Sequence, residues 1–241
     1  MKRIPLAGLA LALAALAAPL RAQTLVVRGE TVHTLAGAPI RNGVVVLDKG
    51  KIVAVGPADT VTVPAGAKVV SAKVVVPGLI DARSVVGLAG YLNQPHDQQQ
   101  VDGGSPMQPE LRAGDAYDPS ERLIEWVRGF GVTTLHTGHA PAALVSGQTM
   151  IVKTVGKTIE DATIVPEAAI SVSLGSAGTV GTRARTIAMI RAELQRAKEA
   201  LAAAEKDSGA KGARDLRKEA WMRVLRKQTP LLVNANKAID I

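Results

Sequence analysis

The first third of the chain alternates between short apolar runs and turn residues. From Thr24 to Val75 the apolar runs are rich in valine and isoleucine, which favour extended backbone. Asp48-Lys49-Gly50 is typical of a tight hairpin, and Pro64-Ala65-Gly66 interrupts the pattern again. We therefore predict a compact antiparallel β-unit of about fifty residues. Its strands are expected at Leu25–Arg28, Gly43–Leu47, Lys51–Val55 and Lys68–Ser71.

After Pro77 the pattern changes to extended runs that alternate with segments of helical periodicity. This alternation predicts parallel βα units. Asp118 is expected to cap the first helix, with Pro119 at its first position. The predicted strands are Val74–Ala82, Gly131–Leu135, Gln148–Thr154, Ala168–Leu174 and Leu231–Val233, and the predicted helices are Asp118–Gly129, Thr182–Lys206 and Lys211–Lys227.

A long polar loop, Gly87–Tyr117, follows the first of these strands. Connections of this length are commonly functional or mobile. Loops at the carboxyl ends of parallel strands lie on the face of a barrel that carries the chemistry. The loop contains His96, for which a solvated structural role is favoured over a functional one.

Residues 1–22 have the features of a secretory signal. Lys2 and Arg3 precede an apolar core, and Leu20-Arg21-Ala22 supplies the small-residue end of a cleavage site. The apolar core spans about 13 residues, fewer than the roughly 20 that a transmembrane helix needs. We therefore expect an exported protein, periplasmic or secreted, with no membrane attachment after cleavage.

Charge and composition narrow the range of partners. The formal net charge is +8, and loss of Lys2, Arg3 and Arg21 would lower it to +5. The chain has two tryptophans, two tyrosines and one phenylalanine, too few for the stacking surfaces of most nucleic-acid binders. Without cysteine, neither disulfides nor thiolate metal sites are available. These features argue against the common classes of nucleic-acid-binding protein.

The run Val76-Pro77-Gly78-Leu79-Ile80-Asp81-Ala82 resembles the barrel-entry motif of the amidohydrolase superfamily. Gly131-Val132-Thr133-Thr134, Gly147-Gln148-Thr149-Met150-Ile151-Val152-Lys153 and Pro230-Leu231-Leu232-Val233 match later segments of its imidazolonepropionase-like branch, in the same order. The resemblance implies an α/β fold in which a small β-sandwich, residues 23–75, precedes a TIM-type (β/α)8 barrel that begins at residue 76. Such a barrel needs about 250 residues, and only about 165 follow Pro77. We expect residues 76–241 to form an incomplete, truncated barrel.

The positions that hold the metal in this family carry other residues here. The family motif continues as His-x-His, whereas this chain has Arg83 and Val85. On the fifth strand Asn234 and Asn236 replace a second pair of histidines. A ligand position after the fourth strand aligns, less securely, with Ser176. The resemblance thus implies a divalent metal such as zinc as cofactor, but no residue of this chain is assigned as a metal ligand.

Other residues near the strand ends could provide replacement chemistry. His136 and His139 follow a predicted strand and are the candidate catalytic residues, although structural hydrogen bonding would also explain them. Arg83 could bind a substrate carboxylate or pair with Asp81. Together with Asn234 and Asn236 it forms the candidate substrate-binding set.

Two further features invite a functional interpretation. Lys153 occupies a position similar to the carboxylated lysine of some family members, but a salt bridge is the favoured prediction. The glycine-rich segment 175–181 lacks the Lys-Ser/Thr ending of a phosphate-binding loop and is interpreted as a barrel loop.

Three hypotheses for function follow. The first is an exported hydrolase of C–N bonds in cyclic amides or dipeptides. The second is a pseudoenzyme that binds a small molecule in the retained pocket. The third is an inactive fragment. The residues leave the substrate and the oligomeric state undetermined.

Overall fold

The computed structural model describes residues 24–174, 181–206 and 214–240. The chain divides into two compact units, with the boundary between Pro77 and Gly78. The signal segment 1–22 and most of the glycine-rich segment lie outside the described residues, as does Ser176. No helix in the described part is both long and apolar enough to cross a membrane.

The amino-terminal unit contains a four-stranded sheet in the order β3-β2-β1-β4. Lys49 and Gly50 have φ angles of 49° and 75°, as a two-residue hairpin turn requires, which confirms the hairpin between β2 and β3. Val26, Val44 and Val46 form the core on one face of this sheet. The strands are β1 (Leu25–Val32), β2 (Ile40–Asp48), β3 (Lys51–Pro57) and β4 (Lys68–Val75).

Two features of this unit differ from the prediction. β4 pairs with β1 in parallel, so the unit is not purely antiparallel. Residues 58–67 connect β3 to β4. This connection passes β2 and β1, so β4 lies on the side of β1 opposite to β2. The described strands form one sheet, so the second layer of a sandwich stays a prediction.

The second unit contains a five-stranded sheet in the order β5-β6-β7-β8-β9. β5 and β6 are parallel, as are β8 and β9, but β7 is antiparallel to both of its neighbours. The prediction of parallel units throughout was therefore wrong at β7. Parallel strands need a crossover of a dozen or more residues, and only residues 138–144 connect β6 to β7. The strands are β5 (Leu79–Ser84), β6 (Val132–Thr137), β7 (Val145–Lys153), β8 (Thr163–Leu174) and β9 (Leu231–Ala235).

Within the described residues, four α-helices accompany this sheet: α1 (Arg122–Gly129), α2 (Ile159–Ala162), α3 (Arg183–Lys206) and α4 (Leu216–Leu225). α1 ends where predicted but begins three residues late, at Arg122 rather than at Pro119. Asp118 instead accepts hydrogen bonds from the backbone N–H and hydroxyl of Ser120, and Glu121 caps the helix through the N–H of Leu123. α4 is shorter than predicted because Asp215 caps it by accepting from the N–H of Lys218.

One face of the five-stranded sheet is apolar and supports two buried clusters. Leu135, Met150 and Val152 pack with Ile124 of α1. Ile170 and Val172 pack with residues of α3 and α4 that include the fully buried Trp221. Because successive side chains of a strand point to opposite faces, the residues between these positions lie on the other face. Those residues are Thr134, His136, Thr149, Ser171 and Ser173.

Candidate functional site

Polar side chains gather at one edge of the five-stranded sheet. β5, β6, β8 and β9 run in the same direction, so their carboxyl ends share this edge. Arg83, His136 and Asn234 lie near the ends of three of these strands, and His139 follows β6. The sequence predicted this common edge correctly, although β7 runs against it.

Arg83 ties the end of β5 to the turn after β6. Its Nη1 donates to the carbonyls of Ser84, at 2.8 Å, and Gly138, at 3.5 Å, and its Nη2 donates to the carbonyl of His139. The carboxylate of Asp81 accepts from the backbone N–H of Arg83 rather than from its guanidinium. Burial lowers the pKa of Arg83, and the negative charge of Asp81 partly offsets this effect. Two of its five N–H donors have no acceptor in the described part of the chain.

His136 bridges neighbouring strands. Its Nε2 lies 2.6 Å from Oγ1 of Thr149, and that hydroxyl is 3.2 Å from the carbonyl of Ala169. Burial lowers the pKa of His136, the positive charge of Arg83 lowers it further, and the Ala82 carbonyl partly opposes both. The His–Thr distance suits a base and a nucleophile. Thr149 is fully buried, however, so this arrangement holds β6 to β7 and leaves the hydroxyl out of reach of a substrate.

His139 is buried more deeply than His136. It is 6% exposed, and its Nδ1 has no hydrogen-bond partner among the described residues. Burial lowers its pKa, and of the nearby charges Asp102 acts against this shift while Arg83 adds to it. Because the pKa is lowered, the neutral imidazole is favoured. The backbone carbonyl of His139 accepts a hydrogen bond from Arg83.

Both histidines are expected to titrate below the ordinary histidine range of about 6.5. A folded-state pKa below the unfolded value adds stability above the unfolded pKa. That contribution is lost as the pH falls from about 6.5 through the folded value. We expect 15N-edited NMR titration to show low pKa values for His136 and His139, and urea melts to show stability falling in this pH window.

A His136→Asn/His139→Asn variant is the control for this pH effect. Its stability should change less between pH 7 and pH 5, because the two groups that must take up protons are absent. An unchanged pH profile in the variant would assign the effect to other groups.

The long loop after β5 supplies residues that sequence reasoning missed. Its later part runs beside β7, where Gln108 N donates to the Val145 carbonyl at 2.9 Å and Gln148 N donates to the Leu111 carbonyl at 2.7 Å. Asp102 accepts from the backbone N–H of Gly104 and from the side chain of Gln108. The loop therefore continues the sheet where β6 has ended, and it places the Asp102 carboxylate within electrostatic reach of His139. Its polar composition gave no signal of this pairing.

The two asparagines do not join this group in the described structure. Asn234 is half-buried, and its amide lies 3.5 Å from the carbonyl of Val172. Asn236 lies beyond β9 and is exposed. In the order of the sheet, β7 and β8 separate them from His136. Arg83, His136 and His139 thus form one cluster, whereas the role of the asparagines stays a prediction.

The residues at this edge do not fit the metal that the sequence resemblance implies. Within residues 24–174, 181–206 and 214–240, no group of three or more His, Asp or Glu side chains is placed to hold a metal ion. Arg83 brings a positive charge to this edge, and amide oxygens are poor zinc ligands. No step of chemistry is therefore assigned to a metal here.

Lys153 and His96 both contact neighbouring side chains, as structural residues do. Nζ of Lys153 donates to the hydroxyl of Thr134 at 3.1 Å, so the predicted salt bridge is replaced by a hydrogen bond to the adjacent strand. Nε2 of His96 lies 3.2 Å from Asp97 in the early part of the loop.

Comparison with known structures addresses the fold. The chain is similar to an amidohydrolase from Thermotoga maritima MSB8, with a TM-score of 0.82 and 24% sequence identity over 90% of this chain. The chain has the fold of that amidohydrolase. It spans 59% of that protein's length. The mixed α/β class is thereby confirmed, while the amino-terminal sandwich stays a prediction.

Other matches are more distant. An ochratoxinase from A. niger shares 18% identity over 40% of this chain and 25% of its own, with a TM-score of 0.27. An adenosine deaminase with bound zinc from Xanthomonas campestris shares 14% identity over 87% of this chain and 48% of its own, with a TM-score of 0.33. These scores are too low to bear on the fold. No family model and no curated protein matches the sequence.

Proposed function

We propose that this chain descends from amidohydrolase-fold hydrolases of C–N bonds and binds a small polar molecule at the carboxyl edge of its second sheet without a metal centre. The observation that carries the proposal is the position of Arg83. In the sequence resemblance Arg83 takes the place of a metal-binding histidine, and backbone carbonyls of the turn after β6 accept hydrogen bonds from its guanidinium. Its remaining N–H donors suit a carboxylate or carboxamide of the ligand.

Electrostatics supports binding without a metal. Burial lowers the pKa of both His136 and His139, and the positive charge of Arg83 lowers each pKa further. A divalent cation held by these imidazoles would therefore lie in the field of a fixed guanidinium, and like charges a few ångströms apart repel strongly in a partly buried site. An anionic group at the same place would be attracted. The preferred ligand is thus an acid or a polar amide.

Hydrolysis of C–N bonds is the second candidate. It is favoured by the fold shared with the Thermotoga maritima amidohydrolase, whose length extends beyond the part that this chain covers. In this alternative, ligands for a metal come from residues other than Arg83, Asn234 and Asn236. His136 and His139 are the residues that would take part.

Zinc titration distinguishes the two candidates. We expect isothermal titration calorimetry and elemental analysis of the purified chain to show less than stoichiometric zinc, because Arg83 opposes the charge. An Arg83→His/Val85→His variant restores the family's first ligand pair and should bind zinc more tightly than the wild type. Stoichiometric zinc in the wild type, lost in a His136→Ala/His139→Ala variant, would contradict the proposal and favour the hydrolase.

We also propose that the protein is exported and cleaved after Ala22. The support is the charged start, apolar core and small-residue end of residues 1–22. Intact-mass measurement of the protein from a periplasmic extract should give a chain that begins at Gln23. A mass that includes Met1, found with the cytosolic fraction, would refute export.

A further inference from the structure

A cleft lies within the early part of the long loop after β5. Its volume is about 390 Å³, and it is bounded by the loop on one side and by the start of α1 on the other. Arg83, His136 and His139 do not line it. The residues that determine its chemistry are Gly90, Tyr91, Asp97, Asp118, Glu121 and Arg122.

An aromatic hollow adjoins this cleft. Its volume is about 250 Å³, and its walls include Tyr91 and Arg122, which it shares with the cleft, as well as Leu123 and Trp126. Tyr91 is 47% exposed and Trp126 is 62% exposed. Phe130 packs edge-on against Trp126, with ring centroids 4.9 Å apart. Three of the chain's five aromatic residues therefore lie exposed on one side of α1, where burying them would contribute free energy to binding.

The charges of the cleft oppose those of the whole protein. Asp97, Asp118 and Glu121 face a single guanidinium, that of Arg122, so these four groups carry a formal charge of −2. The full chain carries +8. A negative cleft in a basic protein concentrates small cations locally.

The carboxylates of the cleft differ in their partners: Asp97 lies 3.2 Å from Nε2 of His96, whereas Asp118 and Glu121 form no ion pair among the described residues. The guanidinium of Arg122 lies over the ring of Tyr91, 4.6 Å from its centroid, and donates to the tyrosine hydroxyl at 2.9 Å. In the part of the chain that the structure describes, no ion pair joins it to Asp118 or Glu121. Oε1 of Glu121 is buried and has no hydrogen-bond partner there. Burial raises the pKa of Glu121, so a donor that carries positive charge would relieve the cost of keeping this carboxylate ionised.

We propose that this cleft and the adjoining hollow bind an ammonium group attached to an apolar or aromatic body. The ammonium donates to the carboxylates of Asp97 and Glu121, and the apolar body lies against Trp126 and Tyr91. The same chemistry occurs in a free arylalkylamine and at the amino terminus of a peptide that begins with an aromatic residue. This site is separate from the cluster around Arg83 and does not depend on the function proposed for it.

Calorimetric titration of the full chain with 2-phenylethylamine tests the proposal. We expect saturable binding, and at least tenfold weaker binding of 3-phenylpropanoate, which has a similar body and the opposite charge. Asp97→Asn should weaken amine binding at least fivefold because it removes an acceptor charge from the cleft. Trp126→Ala should do the same because it removes the apolar wall.

Two variants on the same helix are matched controls. Glu125→Gln removes a carboxylate outside the cleft, and Phe130→Ala removes an exposed ring that does not line the hollow. Both should keep the wild-type affinity within twofold. If the amine and the acid bind equally, or if Glu125→Gln weakens binding as much as Asp97→Asn, the proposal is overturned.

A peptide arm distinguishes the two sources of the ammonium group. Phe-Ala-Ala amide with a free amino terminus should bind, and its acetylated form should not. Higher affinity for the peptide than for 2-phenylethylamine would identify the ligand as a peptide amino terminus. Higher affinity for 2-phenylethylamine would identify it as a free amine. Equal binding of the acetylated and free peptides would contradict the proposal.

Discussion

Replacement of Gly147 by alanine is expected to destabilise the second unit by about 3 kcal/mol. Gly147 has a φ of 121°, a conformation that residues with a side chain rarely adopt. An added Cβ would lie 2.7 Å from the carbonyl oxygen of Leu111 and 3.1 Å from Nδ1 of His139. The oxygen belongs to the backbone segment that pairs with β7, so it cannot move without breaking that pairing. Differential scanning calorimetry should show a melting temperature lower by about 6–12 °C.

Gly129→Ala is the control for the Gly147 variant. Gly129 is the last residue of α1, its φ is not positive, and an added Cβ would meet nothing within 4 Å. Because alanine has the higher helix propensity, the melting temperature should stay the same or rise slightly. If the two variants have the same melting temperature, Leu111 and His139 do not approach β7 as closely as described.

Arg83→Met is expected to cost about 2–4 kcal/mol, through loss of hydrogen bonds from a charged group to three backbone carbonyls. Methionine keeps much of the apolar stem but none of the donors. Lysine should recover only part of the loss, because one ammonium cannot reproduce the planar fork that spans Gly138 and His139. Urea denaturation of the three proteins at pH 7.5 measures the effect.

The same variant has a readout that simple destabilisation would not produce. Removing the positive charge should raise the pKa of both His136 and His139, since that charge lowers each of them in the wild type. Arg112→Met is the control, because its guanidinium is exposed and pairs with the exposed Asp115. It should cost no more than about 0.5 kcal/mol. Unchanged histidine pKa values in Arg83→Met would show that Arg83 does not set the electrostatics of the cluster.

The sequence was most informative where structure depends on neighbours along the chain. The hairpin at Lys49 and Gly50, the end of α1 at Gly129 and the extent of α3 follow from turn chemistry and helical periodicity. The start of α1 was predicted three residues early because Asp118 and Glu121 both have capping side chains. The structure shows that Asp118 forms a turn with Ser120 instead.

The candidate site depended on contacts that local patterns do not encode. Placing Arg83 and His136 at one edge required only the order of strands and the rule that parallel strands share an edge. The bonds from Arg83 to the turn after β6 span 55 and 56 residues of sequence, and the loop beside β7 pairs through its backbone. Both sets of hydrogen bonds involve backbone groups, so no pattern of residue types in the sequence predicts them. The reversed direction of β7 was missed because the predicted strands Gly131–Leu135 and Gln148–Thr154 leave twelve residues between them, enough for a crossover, whereas the observed connection has seven.

The reversal of β7 also bears on how the second unit acquires its structure. β6, β7 and β8 form a meander within residues 132–174, whose connections are only seven and nine residues long. β5 and β9 join this meander only after closing segments of 47 and 56 residues, which cost more chain entropy before any strand pairing compensates. The meander can therefore form early and serve as the template on which the outer strands assemble. Since His136 and Thr149 lie within the meander and Arg83 lies outside it, we expect the contact between His136 and Thr149 to form before Arg83 reaches the site.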